Sequence, residues 1–349
     1  MNKDVLPFVH VEHISDIILY AYEQHASDIH FEPGDARYHI RMRVHGLLQS
    51  IFIGSAHICA RLTTQIKVMA QLDIAEQRLP QDGRIAFTVA THQLDIRVST
   101  CPTLYGEKIV LRLLDPKTHI RNFYELGLDE VQSNIFSQAL AKPHGLILVT
   151  GPTGSGKTTT LYSALNSLNQ NTHNIATVED PVEITLPGIN QVPVQAHIHL
   201  TFARILRSLL RQDPDIIMIG EIRDKETAEI AIAAAQTGHL VLSTLHTANA
   251  LEAINRLVHM GIARYELLST VHLIIAQRLL RLKAGGRIGI YECLPITSAV
   301  KKYMLSHQDL SYQELQNHET IMTLRQAALQ KVSENLVCSA EVSRVVAHE

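Results

Sequence analysis

Leu146-Ile-Leu-Val-Thr150, followed directly by Gly151-Pro-Thr-Gly-Ser-Gly-Lys-Thr158, is the stretch that decides the fold. An uncharged run of strand length leads into a glycine-rich turn, and the residues from Thr158 to Leu168 favour a helix. Strand, G-x-x-x-x-G-K-T and helix in that order make a phosphate-binding P-loop. Average residue frequencies put a chance match to the four fixed positions on the order of 1 in 100 for a chain of this length, and the flanks lower it further. Small residues let backbone amides fold around a β-phosphate, while the helix turns its positive end toward the same anion. Lys157 then neutralises the β- and γ-oxygens, and Thr158 places its hydroxyl on Mg²⁺. The expected binding segment is Gly151, Pro152, Thr153, Gly154, Ser155, Gly156, Lys157, Thr158 and Thr159, with ATP and Mg²⁺ as cofactors.

Working outward, short apolar runs alternate with longer helical stretches from Arg121 onward. The expected strands are Leu146 to Thr150, Asn174 to Val178, Ile216 to Ile219 and Leu240 to Leu245; the expected helices include Thr201 to Arg211 and Thr227 to Thr237. That alternation predicts a parallel sheet wrapped by helices, and the C-terminal stretch reads as helical and polar. Upstream the pattern is α+β. Ile14, Ile17, Ile18 and Tyr22 have helical spacing, whereas Ile40, Met42 and Val44 alternate with Arg41, Arg43 and His45 in a strand that Gly46 turns into a second, Leu47 to Ile53. A helix across Ala56 to Glu76, a turn at Pro80-Gln-Asp-Gly83 and strands at Leu94 to Val98 and Lys108 to Leu114 complete it. The expected division is an α+β domain over 1–115, a linker over 116–122 and an α/β P-loop domain over 123–349.

Composition agrees with two globular domains. The 349 residues are 46% hydrophobic and 19% charged, with a formal net charge of -3. Near-neutrality lacks the broad basic field of a protein that lives on nucleic acid, so no direct nucleic-acid partner is expected. The apolar runs fall far short of a membrane span, and the N-terminus shows no secretory signal, so the expected location is the cytoplasm. Cys59, Cys101, Cys293 and Cys338 have no paired spacing and read as core filler in a reducing compartment.

Further candidates stand at the ends of the predicted strands. Pro214-Asp-Ile-Ile-Met-Ile-Gly-Glu221 is an apolar strand ending in an acid, which places Glu221 for Mg²⁺ organisation or water activation. Glu179, within Glu179-Asp-Pro-Val-Glu183, reaches the same edge if its strand neighbours the P-loop strand. Either acid on its own also reads as a solvated strand-end charge. His246 ends the strand Leu240 to Leu245, where nucleotides bind, and is read as a γ-phosphate sensor; His239 caps or braces that strand. No second ligand has zinc spacing. Arg41, Arg43, Arg84, Arg97 and Arg112 alternate with apolar neighbours, and two readings stay open: a solvated sheet face, or arginines that reach a neighbouring subunit's ATP. Arg204, Arg207 and Arg211 share one helix face and suit a subunit boundary.

Taken together these motifs resemble the secretion ATPase superfamily, specifically the type II secretion and type IV pilus assembly ATPases. The resemblance runs from about Ser27 to Val346. It rests on Ser27-Asp-Ile-His-Phe-Glu-Pro33, Pro80-Gln-Asp-Gly-Arg84, Arg97-Val-Ser-Thr, Gly106-Glu-Lys-Ile-Val-Leu-Arg-Leu-Leu114, the Walker A segment, Glu179 to Glu183, Arg211 to Asp224 and Thr237 to Thr247. The resemblance implies a PAS-like first domain, a RecA-like P-loop ATPase domain and a homohexameric ring with ATP between subunits. It also implies Arg97 and Arg112 as trans-acting arginines, and an inner-membrane platform protein as the partner that brings the motor peripherally to the membrane. The assembly-motor phrases favour pilus or pseudopilus assembly; a retraction or DNA-uptake motor and a non-hydrolysing scaffold are the alternatives. Many relatives have an extra N-terminal domain, whereas this chain starts almost at the PAS-like one. Many also carry a tetracysteine zinc module between Ala276-Gln-Arg-Leu-Leu-Arg281 and Gly286-Arg-Ile-Gly-Ile-Tyr-Glu292; here those flanks nearly meet, so no structural zinc is expected.

Overall fold

The computed structural model describes residues 13–35, 37–89, 92–114, 125–307, 310–319 and 321–346. The expected linker, 116–122, lies outside them. The chain divides into two compact units, Met1–Pro116 and Lys117–Glu349.

In the first unit, helix α1 (Ile14–Glu23) precedes strands β1 (Ala26–Pro33), β2 (Tyr38–Val44) and β3 (Leu47–Gly54), then helix α2 (Ala56–Met69) and strands β4 (Gln81–Val89), β5 (His92–Thr103) and β6 (Gly106–Leu114). The strands form one antiparallel sheet in the order β3-β2-β1-β6-β5-β4. Alternation sorts the side chains. Ile29, Phe31, Ile40, Met42, Ile96, Val98, Ile109 and Leu111 enter a core closed by Ile14, Ile17 and Ile18 of α1 and Leu62 and Ile66 of α2. On the other face the register runs Arg43, Asp28, Arg112, Arg97, Arg84 across five neighbouring strands.

The first unit departs from two sequence expectations. The helix from Ala56 stops at Met69 instead of Glu76, because Gln71 turns to a positive φ of 56° and Leu72 N–H closes back on Lys67 O. Pro80 to Gly83 is not a turn, since β4 begins at Gln81. Gly83 is needed because a Cβ there would lie 2.8 Å from Ala70 O, at the end of α2. The loop between α2 and β4 is pinned by Gln81, whose amide donates to Asp73 O and Glu76 O. It is also pinned by the buried Lys67 ammonium, which donates to Glu76 O at 2.6 Å and contacts the Glu107 carboxylate at 2.7 Å.

The second unit adds α3 (Glu130–Leu140), β7 (Gly145–Thr150), α4 (Lys157–Leu168), β8 (Ile175–Glu179), β9 (Asn190–Pro193), α5 (Phe202–Leu209), β10 (Ile216–Ile219), α6 (Lys225–Gln236), β11 (Leu240–Leu245), α7 (Ala250–His259) and α8 (Arg264–Thr270). Strands β12 (Val271–Arg281) and β13 (Arg287–Pro295) follow, then helices α9 (Ser298–Ser306), α10 (Tyr312–Leu315), α11 (Leu324–Ser333) and α12 (Ser339–Val346). The sheet order is β13-β12-β7-β11-β10-β8-β9, parallel throughout except for β13. Every residue of β7 is buried: Leu146 and Leu148 join the core made with α5, α6, α7 and the C-terminal helices, and Ile147 and Val149 join the one made with α3 and α4. Strands β9, β12 and β13 were not foreseen. The core-filler reading of the cysteines holds for Cys293, whose burial pushes its thiol pKa up, and fails for the exposed Cys101 and Cys338.

Replacing one member of the buried Lys67–Glu107 pair strands the other. Lys67→Met is expected to cost about 3–5 kcal/mol, read as a fall in urea midpoint at unchanged slope, while Lys67→Met with Glu107→Leu recovers most of it. A single variant as stable as wild type would contradict this.

Candidate functional site at the carboxyl edge of the parallel sheet

The glycine-rich turn joins β7 to α4. Gly151, Gly154 and Gly156 all have positive φ, and Gly156, at 91°, is the N-cap of α4. No side chain caps this helix, so its first amides face the loop. The Lys157 ammonium donates to Gly151 O at 2.8 Å and Pro152 O at 3.0 Å and is nearly buried. Burial lowers its pKa to about 8 against the attraction of Glu221, and the nearby Arg278 adds to the lowering. Ser155 Oγ is buried with no hydrogen-bond partner. A crowded cation and an unsatisfied hydroxyl beside an uncapped helix start fit an anion with several oxygens. Thr158 and Thr159 are half-buried on the first turn of α4, whereas Pro152 and Thr153 are exposed on the loop.

Glu221 lies one residue past Gly220, at the end of β10. Its Oε1 accepts from Arg223 Nη2 at 2.5 Å, and its Oε2 is 3.5 Å from His246 Nε2. Arg223 also reaches Asp180 at 3.3 Å. Burial, then the charge of Lys157, lowers the His246 pKa although Glu221 opposes this, so His246 is neutral at physiological pH. The loop after His246 is tied to the P-loop strand, since Thr247 N–H donates to Thr150 Oγ1 at 3.0 Å. A polar cleft of about 570 Å³ opens beside these groups, lined by Glu221, Arg223, His246, Thr247, Glu252 and Arg256 among others.

Glu179 reaches this edge by a different route from the one expected. Its strand β8 does not neighbour β7, because β11 and β10 stand between them. All four are parallel, so their carboxyl ends share one edge, and Gly220 N–H donates to Val178 O at 2.8 Å. The Glu179 carboxylate is buried under three donors: Tyr162 OH, Thr177 Oγ1 at 2.6 Å and Gln191 Nε2 at 3.1 Å. Burial, reinforced by Glu179, raises the Tyr162 pKa, so the phenol is a permanent donor. Tyr162, Arg223 and Gln277 of β12 escaped sequence reading. Tyr162 carries a signal in hindsight, since it falls on the P-loop helix five residues after Lys157. The ring of His239, just before β11, turns back to the preceding helix, its Nδ1 lying 2.9 Å from Ala234 O of α6.

Arg97 and Arg112 lie on β5 and β6 of the first unit, directly opposite each other in the ladder. Arg112 Nε donates to Asp28 at 2.9 Å and its side chain is 59% exposed. On α5, Arg207 pairs with Glu226 at 2.6 Å, and Arg211 donates to Arg207 O.

The Lys157 pKa sets a pH dependence for anion binding. The folded, ligand-free group loses its proton through about pH 8, and a bound phosphate raises that pKa. ADP affinity measured by calorimetry is therefore expected to be full below about pH 8 and to weaken as pH rises beyond it. Lys157→Arg should flatten that decline, and a wild-type affinity constant to pH 9.5 would contradict the assignment.

Comparison with known proteins places this geometry in a family. The model of the type II/IV secretion system protein family matches residues 7–344. The chain is 44% identical to the type IV pilus assembly ATPase PilB of Acinetobacter baylyi, covering 98% of this chain and 67% of that protein. It is 43% identical to the type II secretion system protein E of Pseudomonas aeruginosa, covering 100% of this chain and 77% of that protein. Among solved structures, the pilus retraction motor PilT with bound ADP superposes with a TM-score of 0.72 at 30% identity, covering 95% of this chain and 96% of that one. The chain belongs to the type II/IV secretion system protein family.

Proposed function

We propose that this chain binds MgATP on the P-loop, hydrolyses it, and works as the ring-forming cytoplasmic motor of a type II secretion or type IV pilus assembly machine. The observation that carries this reading is one sheet edge bearing a nearly buried P-loop lysine, Lys157, together with Glu221, Glu179 and His246. In this reading the amides of Gly154, Ser155 and Gly156 cradle the phosphates, Lys157 leaves its own loop carbonyls for the β- and γ-oxygens, and Ser155 Oγ gains a partner. Mg²⁺ supplies charge neutralisation on the phosphate oxygens as the γ-phosphoryl leaves, and Thr158 and Glu221 would hold it. Among the described residues no His, Cys, Asp or Glu cluster forms a metal cage, which suits an ion held chiefly by hydroxyl, water and phosphate.

The two carboxylates divide the remaining work. Glu221, with one oxygen on Arg223 and the other toward His246, orients the attacking water. Glu179, fixed by three donors, supplies a second negative charge for the water's proton. Neutral His246 senses the γ-phosphate. The second unit is RecA-like and the first PAS-like, with Arg97 and Arg112 offered to ATP on the neighbouring subunit of a hexamer. An inner-membrane platform protein is the partner that turns hydrolysis into movement and brings the motor to the membrane. A retraction motor is the second reading, supported by the likeness to PilT at 30% identity; the 44% identity to an assembly ATPase favours the first.

Steady-state ATP hydrolysis across a protein-concentration series tests the proposal. Turnover per subunit should rise with concentration; Lys157→Ala and Glu221→Gln should each lose at least about a hundredfold, and Arg97→Ala about a thousandfold. Wild-type protein that binds ATP without turnover, even with its membrane partner, would make the chain a nucleotide-dependent scaffold instead.

A further inference from the structure

We propose that Gln277 is the positioning residue that holds the P-loop in its phosphate-binding shape, an inference that rests on the nucleotide-binding reading above. Strand β12 runs parallel beside β7 with Ala276 opposite Thr150, which brings Gln277 level with the first residue of the loop. Its side-chain Nε2 donates to Ser155 O at 2.6 Å, and its Oε1 accepts from Thr160 Oγ1 at 2.8 Å. One amide thus bridges the loop to the first turn of α4. Both Gln277 and Thr160 are only 1% exposed, so neither bond competes with water.

Contacts at both ends of the loop reinforce the bridge. A Cβ at Gly151 would stand 2.6 Å from Gln277 O, and one at Gly156 would stand 3.0 Å from Gln277 Nε2. The approach of this one residue thus demands glycine at 151 and leaves a side chain at 156 tightly crowded, in addition to the positive φ at both.

The consequence follows from peptide geometry. A trans peptide is planar, and its C=O and N–H point in opposite directions. By drawing Ser155 O toward β12, Gln277 turns the Gly156 N–H to the other side of that peptide, where the loop meets phosphate. A primary amide suits the task because it donates on one side and accepts on the other; an ionised glutamate only accepts, and methionine lacks the donor.

Gln277→Glu, Thr160→Val and Lys157→Ala, studied beside wild type in the full chain, test this by MgADP calorimetry, steady-state kinetics and nucleotide-free thermal melting. Gln277→Glu at pH 8 should raise the MgADP Kd and the KM for ATP about tenfold with kcat within about twofold, because the loop binds ground and transition states alike. At pH 6 the defect should shrink as the buried carboxyl takes up a proton and can donate to Ser155 O. Thr160→Val should move Kd in the same direction by a smaller factor. A Kd equal to wild type in Gln277→Glu, with only the nucleotide-free Tm lowered, overturns the positioning role. If Gln277→Glu does not fold, Thr160→Val decides, and an unchanged Kd there overturns it equally. A Lys157→Ala that binds MgADP as wild type does would sink the nucleotide-site reading itself. Loss in Lys157→Ala alone would sink only the role of Gln277.

Discussion

A cation nearly removed from water is the constraint on which the second unit depends. Lys157 has little solvent and, among the described residues, no carboxylate in direct contact; Gly151 O and Pro152 O hold its ammonium, and its pKa falls to about 8. Neutral carbonyls satisfy its hydrogen bonds but only part of its charge. The loop must therefore stay open to an anion, and the elements around it are arranged to keep it so: an uncapped helix start, three positive-φ glycines and a buried hydroxyl without a partner. The same charge, after burial, lowers the pKa of His246, so the state of Lys157 is felt at the far side of the site.

What the sequence reveals follows from how local each signal is. The P-loop, the strands Ile216 to Ile219 and Leu240 to Leu245, and the acids and histidine at their ends are legible because both the chemistry and its flanks lie within a dozen or so residues. Strands β12 and β13 were missed because they form a long antiparallel pair whose burial on both faces erases the alternation that marks a strand. Pro80-Gln-Asp-Gly83 was misread because its composition favours a turn, whereas Gly83 answers to Ala70 on another element. Cys101 and Cys338 were assigned to the core from residue type alone, and type does not reveal which face of a strand or end of a helix a side chain occupies.

Sheet order explains how Glu179 and Glu221 meet the P-loop without adjacent strands. In a parallel sheet every strand delivers its last residue to the same edge, so β8 contributes Glu179 from three places away. Distance along the edge is then made up by side chains: Tyr162 comes down from the P-loop helix to Glu179, and Arg223 spans Glu221 and Asp180. Tyr162 thus ties α4 directly to the buried Glu179 carboxylate through one phenol.

Strand β12 gives the same edge a connection to the end of the chain. Within five residues it presents Gln277 to the P-loop, Arg278 to Ala248 O beyond His246 at 2.6 Å, and Arg281 to Glu341 of α12 at 2.6 Å. Burial alone would raise the Glu341 carboxyl pKa, but Arg344 and Arg281 outweigh it and hold the group at about 2. On the paired strand, buried Glu292 accepts from Ala250 N–H at the start of α7, from Leu324 N–H at the start of α11, and from Tyr312 OH. Two helix starts converging on one carboxylate leave little freedom for the C-terminal helices to move independently of β12 and β13. The P-loop, the histidine loop and the C-terminal helices are therefore all fastened to this strand pair by polar contacts that are buried or partly buried, and breaking any of them is costly.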